Sequence, residues 1–449
     1  RRIRELGVYC ELLPGDAPME TVMGMRPGAV IFSGSPYSVY APGAPRPAPE
    51  ILKSDLPILG VCYGMQLLAH LSGGRVEGGH HGEFGSAKVF PSGDSALFRG
   101  QKPGLQAWMS HGDRVTALPP GYTVAAFTEL LPIAAMENPS AKRYGVQFHP
   151  EVHHTVFGVE LIGRFLFDIA GLEPRWNMNA YAEEACKTIR RELGPDGRVI
   201  LGLSGGVDSS VVAALLHRAV PGRFTPIFVD NGLLREGERA QVEKTFRDHF
   251  GMPLVVIDGT DRFLEELRGV EDPEAKRKII GRVFIELFEE AASAVPGVTH
   301  LAQGTLYPDV IESVSFRGPS VTIKTHHNVG GLPEKMKLKL LEPLRELFKD
   351  EVRELGRELG LPGHIVDRHP FPGPGLAVRI LGPVGRDDLD LLRKIDSVFT
   401  GYLRDHNLYR EIWQAFAVLL PLRTVGVMGD ERTYHRVVAL RAVTSIDGM

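Results

Sequence analysis

The sequence predicts an α/β protein, and three observations carry that prediction. Short apolar runs alternate with stretches of helical periodicity along much of the chain, the pattern of sheets layered with helices. Two junctions where an apolar run gives way to a helix bear reactive or glycine-rich turns, Gly60-Val61-Cys62-Tyr63-Gly64-Met65-Gln66 and Ser204-Gly205-Gly206-Val207-Asp208-Ser209-Ser210. The pattern breaks at Gly171-Leu172-Glu173-Pro174 and again at a Pro/Gly-rich string beginning at Arg368. The 449 residues therefore divide into about three domains, 1–172, 173–368 and 369–449.

Composition excludes several classes. Hydrophobic content of 43% and charged content of 24% are ordinary for a globular protein, and a net charge of −4 argues against a general nucleic-acid or membrane binder. No apolar run is long enough to span a bilayer. Three cysteines, Cys10, Cys62 and Cys186, are scattered and odd in number, which implies a reducing, cytoplasmic setting and no disulfide framework. The chain opens at Arg1 without Met, and both ends read as cut from a longer sequence.

In the first domain Ala29–Gly34 reads as a strand and turn, Pro57–Val61 as a buried strand, and Met65–His70 as a helix. Cys62 stands on the sharp turn between strand and helix. There a side chain is pushed out beyond the sheet, and the helix N-terminus favours a thiolate. A lone cysteine is more often a buried structural residue. The string Gly145-Val146-Gln147-Phe148-His149-Pro150-Glu151 changes that balance, because it offers an imidazole and a carboxylate able to orient it.

Both segments, with Ser33-Gly34-Ser35-Pro36, resemble the class I glutamine amidotransferases. The resemblance implies Cys62 as nucleophile, His149 as base and Glu151 as its orienter. It also implies an oxyanion hole from the N–H groups of Gly34 and Tyr63, with Gln66 and Met109-Ser110-His111-Gly112-Asp113 holding glutamine. Relatives usually carry a second glycine where this chain has Ser35.

In the second domain a helix from about Asn179 to Leu193 precedes the apolar run Val199–Leu203, the string Ser204–Ser210 and a helix beyond it. Gly205 and Gly206 permit a tight turn and close approach to a ligand, and the following N–H groups suit an anion. The hydroxyls of Ser209 and Ser210 are placed to cap the helix. Asp208 beside a phosphate implies a divalent cation between them, most simply Mg²⁺. The loop lacks the Gly-Lys-Ser/Thr ending of a kinase-type phosphate loop. It resembles the pyrophosphate loop of the ATP pyrophosphatase superfamily, which implies ATP as co-substrate. Asp230, after the run Thr225–Val229, falls at a strand's carboxyl end near the nucleotide, or else caps a helix. Gln303–Ser313 and Lys324–Gly331 match the nucleotide-facing part of GMP synthetases, and the adjacent His326 and His327 are a poor zinc pair. Lys349 opens a charged helix and can neutralise pyrophosphate.

In the last domain the string Arg368–Ile380 is too rich in Pro and Gly for a helix or inner strand. Asp387–His406 reads as an amphipathic helix, and Gln414–Leu420 and Arg436–Val443 as strands. The Pro/Gly string and Val427–Arg432 resemble the GMP synthetase family, whose C-terminal domain forms a homodimer. That family's Lys-Pro-Pro tail is absent from this chain. The resemblance spans essentially the whole length. It implies a doubly wound ATP pyrophosphatase domain and a small α+β dimerisation domain. Its reaction turns XMP, ATP and glutamine into GMP through an adenylyl-XMP intermediate, with ammonia passing between two centres. The alternatives are a tRNA-thiolating enzyme, which calls for further cysteines, a γ-glutamyl hydrolase, which does not need residues 200–330, and a non-catalytic nucleotide sensor.

Overall fold

The computed structural model describes residues 1–313, 338–428 and 431–445. Two compact units are formed, Arg1–Asn177 and Met178–Met449. The string Lys324–Gly331 and the pair Gly429-Asp430 lie outside the described residues.

The first unit is built on a seven-stranded sheet, β1 (Val30–Phe32), β2 (Ile58–Val61), β3 (Arg75–Pro91), β4 (Leu105–Ala117), β5 (Thr123–Phe127), β6 (Ala135–Asn138) and β7 (Arg143–Val146). The spatial order is β1-β2-β7-β6-β5-β3-β4. The β1-β2-β7 edge is parallel. The pairings from β7 through β6, β5 and β3 to β4 are antiparallel. All four residues of β2 are buried, as a strand covered on both faces requires. Its helix α1 (Tyr63–Leu71) follows after one residue. Val61 pairs with Val146, so β2 and β7 leave the sheet side by side at their carboxyl ends. Leu59, Val61, Val146, Phe148 and Phe165 belong to one buried cluster beneath that edge.

The second unit has a five-stranded sheet, β8 (Arg198–Gly202), β9 (Phe224–Asp230), β10 (Val255–Asp258), β11 (Val298–Ala302) and β12 (Lys339–Leu341), ordered β10-β9-β8-β11-β12. Every pairing is parallel. Strand β8 lies between the next strand in sequence and one from much later, a switch point of the kind where open α/β sheets bind ligands. Helices α2 (Met178–Leu193), α3 (Val207–Ala219), α4 (Pro273–Ser293) and α5 (Lys349–Glu358) belong to this unit. Helix α3 begins at Val207, four residues before the apolar run that announces it, because Gly206 serves as its N-cap.

Helix α6 (Arg386–Asp405) and a long hairpin of β13 (Gln414–Met428) and β14 (Glu431–Val443) complete the unit. Both strands extend past their apolar cores, since each supplies backbone partners to the other. The Pro/Gly string is not wholly irregular: Gly375–Arg379 closes a 3₁₀ turn. Gly375 has φ +62°, and a Cβ there would lie 2.3 Å from the Leu233 carbonyl oxygen, so only glycine fits. Buried Lys276 on α4 donates to the carbonyls of Ala377, Ile380 and Gly382 at 3.2, 2.8 and 2.7 Å and anchors that turn.

Candidate active site

The first centre begins with strain. Cys62 has φ 52°, a left-handed conformation that a non-glycine residue rarely adopts. The turn needs glycines around it: a Cβ on Gly64 would sit 2.0 Å from the Phe32 carbonyl oxygen, and one on Gly60 2.4 Å from the Gly64 oxygen. The Cys62 N–H donates to the Val146 carbonyl at 2.8 Å, which ties the turn to the end of β7. Three residues beyond Val146 comes His149, whose own N–H bonds the Trp108 carbonyl at 3.0 Å.

His149 Nδ1 and Glu151 Oε1 are 2.7 Å apart, and the imidazole also meets the Cys62 side chain. These bonds, Cys62's first and Glu151's second, outweigh burial and raise the His149 pKa to about 10. Imidazolium is therefore its form at neutral pH. Gly34 closes the corner: a Cβ there would meet His149 Cε1 at 3.3 Å and Cys62 Cβ at 3.9 Å. Among the described residues, the N–H groups of Gly34 and Tyr63 donate to no protein acceptor. Ser35 does not adopt a positive φ, so the departure from the relatives' glycine is accommodated, and its Oγ accepts from the Tyr37 N–H at 3.3 Å.

Gln66 behaves differently from a free ligand-holding side chain. It is 3% exposed, and its Nε2 donates to the Asp113 carbonyl at 2.7 Å and to Gln147 Oε1 at 3.3 Å. His111, one strand away, is kept low in pKa chiefly by burial and faces Glu83 at 3.7 Å, whose carboxyl burial pushes up. Asp113 Oδ2 is buried with no hydrogen-bond partner among the described residues.

The second centre is the loop between β8 and α3. Gly205 has φ +71°. Ser204 Oγ receives the Gly206 N–H at 3.3 Å, and Ser209 Oγ receives the Ser204 N–H at 3.2 Å. The hydroxyls of Ser209 and Ser210 bond back to the Gly206 carbonyl at 3.2 and 2.6 Å, so they fold the loop on itself and do not cap the helix. Capping falls to no side chain, and the N–H groups of Val207, Asp208 and Ser209 donate to no protein acceptor among the described residues. Unpaired N–H groups at a helix N-terminus are able to receive an anion. Lys349 Nζ grips both carboxylate oxygens of Asp208, at 2.6 and 2.7 Å. Gly304 abuts the same residue, where a Cβ would be 3.1 Å from Asp208 Cβ.

Asp230 stands at the carboxyl end of β9. Its Oδ1 accepts from the Gly232 N–H at 2.9 Å and its Oδ2 pairs with Arg239 at 3.3 Å, so its carboxylate shapes the turn after β9. Among the described residues no group of three or more His, Cys, Asp or Glu can hold a metal ion.

Residues 1–169 match the family described as glutamine amidotransferase class-I, 181–272 the NAD synthase family, and 402–449 the GMP synthase C terminal domain. A GMP synthase [glutamine-hydrolyzing] of Bradyrhizobium diazoefficiens is 57% identical over 455 residues, covering 100% of this chain and 82% of that protein. Those of Rhizobium etli (strain CIAT 652) and Cereibacter sphaeroides (strain KD131) are 56% and 57% identical, covering 100% of this chain and 87% and 88% of theirs. The chain belongs to the glutamine-hydrolysing GMP synthase family.

Two features of this GMP synthase family member escape a motif search. Arg235, Arg368 and Arg379 surround the Phe371 ring at 4.8, 5.3 and 4.8 Å. Arg368 pairs with Glu238 at 2.6 Å and donates to the Gly205 carbonyl at 2.9 Å, while Arg235 and Arg379 share Asp396 at 3.0 and 3.4 Å. Three guanidinium groups thus meet two carboxylates, and burial followed by Arg235 pushes Arg379 down to about 10. Arg368 and Arg379 both lie in the Pro/Gly string, but nothing in the sequence joins Arg235 to them, and only packing brings the three to one ring. The second feature is Gln147, buried against Cys62. Among the described residues, no helix is long and apolar enough to cross a membrane.

Proposed function

We propose that the chain aminates XMP to GMP with nitrogen taken from glutamine, using two separate centres in the cytoplasm. The reading divides it into an amidotransferase domain (1–172), an ATP pyrophosphatase domain (173–368) and a C-terminal domain (369–449). The observation that carries it is His149 bonded to both Cys62 and Glu151 beside a strained turn, with Gly34 against the His149 ring and Cys62 Cβ.

At the first centre the Cys62 thiolate attacks the glutamine side-chain carbonyl carbon, and charge develops on its oxygen. The Gly34 and Tyr63 N–H groups receive that oxyanion. His149, as imidazolium, gives its proton to the departing ammonia, then takes one from the water that hydrolyses the γ-glutamyl thioester. Glu151 holds the ring through Nδ1. The unpartnered Asp113 Oδ2 suits the glutamine ammonium.

At the second centre the free N–H groups after Gly206 receive the ATP phosphates. The XMP 2-oxygen attacks the α-phosphate, pyrophosphate leaves toward Lys349, and ammonia displaces AMP from the adenylylated base. The carbonyl oxygen is a poor leaving group until it is so adenylylated. Asp208 is a half-exposed carboxylate already paired to a cation, and it fits Mg²⁺ held jointly with nucleotide phosphates and water, which would neutralise the departing pyrophosphate. The positive surplus around Phe371 suits the anionic purine nucleotide. An ATP- and XMP-dependent assay with glutamine or ammonium as nitrogen donor tests the scheme. GMP must form with either donor, and no GMP from ammonium sinks it.

Because His149 is raised, its charge persists until the pH passes about 10, and the stability that it contributes, complete below about 6.5, is lost across the same interval. Glu151→Gln keeps an oxygen that accepts from Nδ1 but removes the negative charge that helps to raise the His149 pKa. The alkaline limit of glutamine hydrolysis is expected to move to lower pH, by at least about one unit. A rate–pH profile with the same alkaline limit in both proteins would contradict this orienting role.

The homodimer is proposed on the hairpin, where Leu422, Val425, Val427, Met428, Tyr434 and Leu440 are exposed. Val427→Lys with Leu440→Lys is expected to give monomers in sedimentation velocity at micromolar concentration. A dimer that survives both charges places the interface elsewhere.

A further inference from the structure

We infer that Gln147 is a positioning residue for the nucleophile, donating its side-chain N–H to the Cys62 sulfur with its amide orientation fixed by Gln66. Gln147 is fully buried. Its Nε2 lies 3.7 Å from Cys62 Sγ, within hydrogen-bond reach for a sulfur acceptor. An amide can present either its NH₂ or its oxygen at such a site, and a carbonyl oxygen there would repel a thiolate. Gln66 decides which is presented. Its own NH₂ group is held by the Asp113 carbonyl at 2.7 Å and by Gln147 Oε1 at 3.3 Å. With its oxygen committed to Gln66, Gln147 has only its NH₂ left to turn toward sulfur. The backbone is fixed as well, since the Gln147 N–H bonds the Ala134 carbonyl at 2.8 Å.

The geometry matters because the other neighbours of sulfur leave that side uncovered. His149 approaches Cys62 as a hydrogen-bond partner, and the Ser110 carbonyl, 3.7 Å from Sγ, is an acceptor that a thiolate cannot use. Gln147 supplies a donor from the protein interior, so the anion is held by a charged donor on one side and a neutral one on the other. A donor to the charged form favours that form. The ionisable groups around this corner are His149 and Glu151 beyond β7, and Glu83, His111, Asp113 and Arg114 on β3 and β4. Gln147 and Gln66 are neutral, so the relay acts at every pH where the fold holds.

The inference rests on reading Cys62 as the nucleophile, and its test is independent of turnover. The full-length chain and its Gln147→Glu and Gln147→Leu variants are alkylated with iodoacetamide across pH, and the Cys62 peptide is followed by mass spectrometry. Cys10 and Cys186 are thereby kept out of the reading. Gln147→Glu keeps the shape and the oxygen that Gln66 binds but replaces the donor by a carboxyl oxygen. Cys62 alkylation at neutral pH is expected to fall roughly tenfold in both variants, with the profile moved about one unit toward higher pH. An unchanged profile in a cooperatively melting Gln147→Glu protein overturns the inference. If neither variant melts cooperatively, Gln66→Met carries the test, since it frees the amide to rotate. It is expected to slow alkylation about threefold, and no change overturns the relay. Glutamine hydrolysis that survives Cys62→Ala would overturn the nucleophile reading instead.

Discussion

Cys62→Ala is expected to lower glutamine-dependent GMP formation by about 10⁴-fold or more, the scale of removing a nucleophile, while ammonium-dependent formation stays within about twofold. Loss of the sulfur leaves His149 without its strongest partner and removes the atom that forms the thioester. The substitution is small, and the turn's geometry is set by Gly60, Gly64 and the bond from the Cys62 backbone N–H to Val146, all of which alanine keeps. The second centre draws its residues from the other compact unit. Initial rates with glutamine and with ammonium, at fixed ATP and XMP, separate the outcomes. Parallel loss with both donors would end the two-centre scheme, and retained glutamine activity would remove Cys62 from the chemistry.

Much of this was legible in the sequence because it lies within short strings. A strand, a turn and a helix are contiguous, so the Cys62 elbow and the Ser204–Ser210 loop announce themselves, as do His149 and Glu151 two residues apart. The parallel pairing of β8 to β12 agrees with the doubly wound sheet that the resemblance to ATP pyrophosphatases implies. What pairs across the fold was not legible. Nothing local marks Gln147 as the neighbour of sulfur, because its partners, Cys62 and Gln66, are 85 and 81 residues away. Arg235 and Arg379 come together only through Phe371 and Asp396. Side-chain direction was equally hidden: Ser209 and Ser210 were expected to serve the helix N-terminus, but their hydroxyls turn to the Gly206 carbonyl. Asp230 stands at its strand's carboxyl end as expected, but its bonds to the Gly232 N–H and Arg239 could not be read from the sequence.

Asp208→Asn is expected to reduce GMP formation by about 10³-fold with either nitrogen donor, the scale of losing one charge that acts on a transferring phosphoryl group. The direction follows from the site's electrostatics. The free N–H groups of α3 attract phosphate, and a carboxylate among them repels it unless a cation intervenes. Lys349 is one such cation, with both carboxylate oxygens gripped. Such a pair, its side chains 45% and 32% exposed, is worth on the order of 0–1 kcal/mol, too little for stability to explain its presence. Asparagine should therefore leave the melting temperature nearly unchanged, and the loss should appear in nucleotide chemistry alone. Two readouts separate a metal-holding carboxylate from a mere anchor for Lys349. Calorimetric titration with ATP should show Mg²⁺-dependent affinity in the parent chain and none in Asp208→Asn. Lys349→Met should keep that dependence while losing rate, because the carboxylate remains. If Asp208→Asn binds ATP with the parent's Mg²⁺ dependence, the carboxylate serves Lys349 only, and the cation must be held by the nucleotide and by residues other than Asp208.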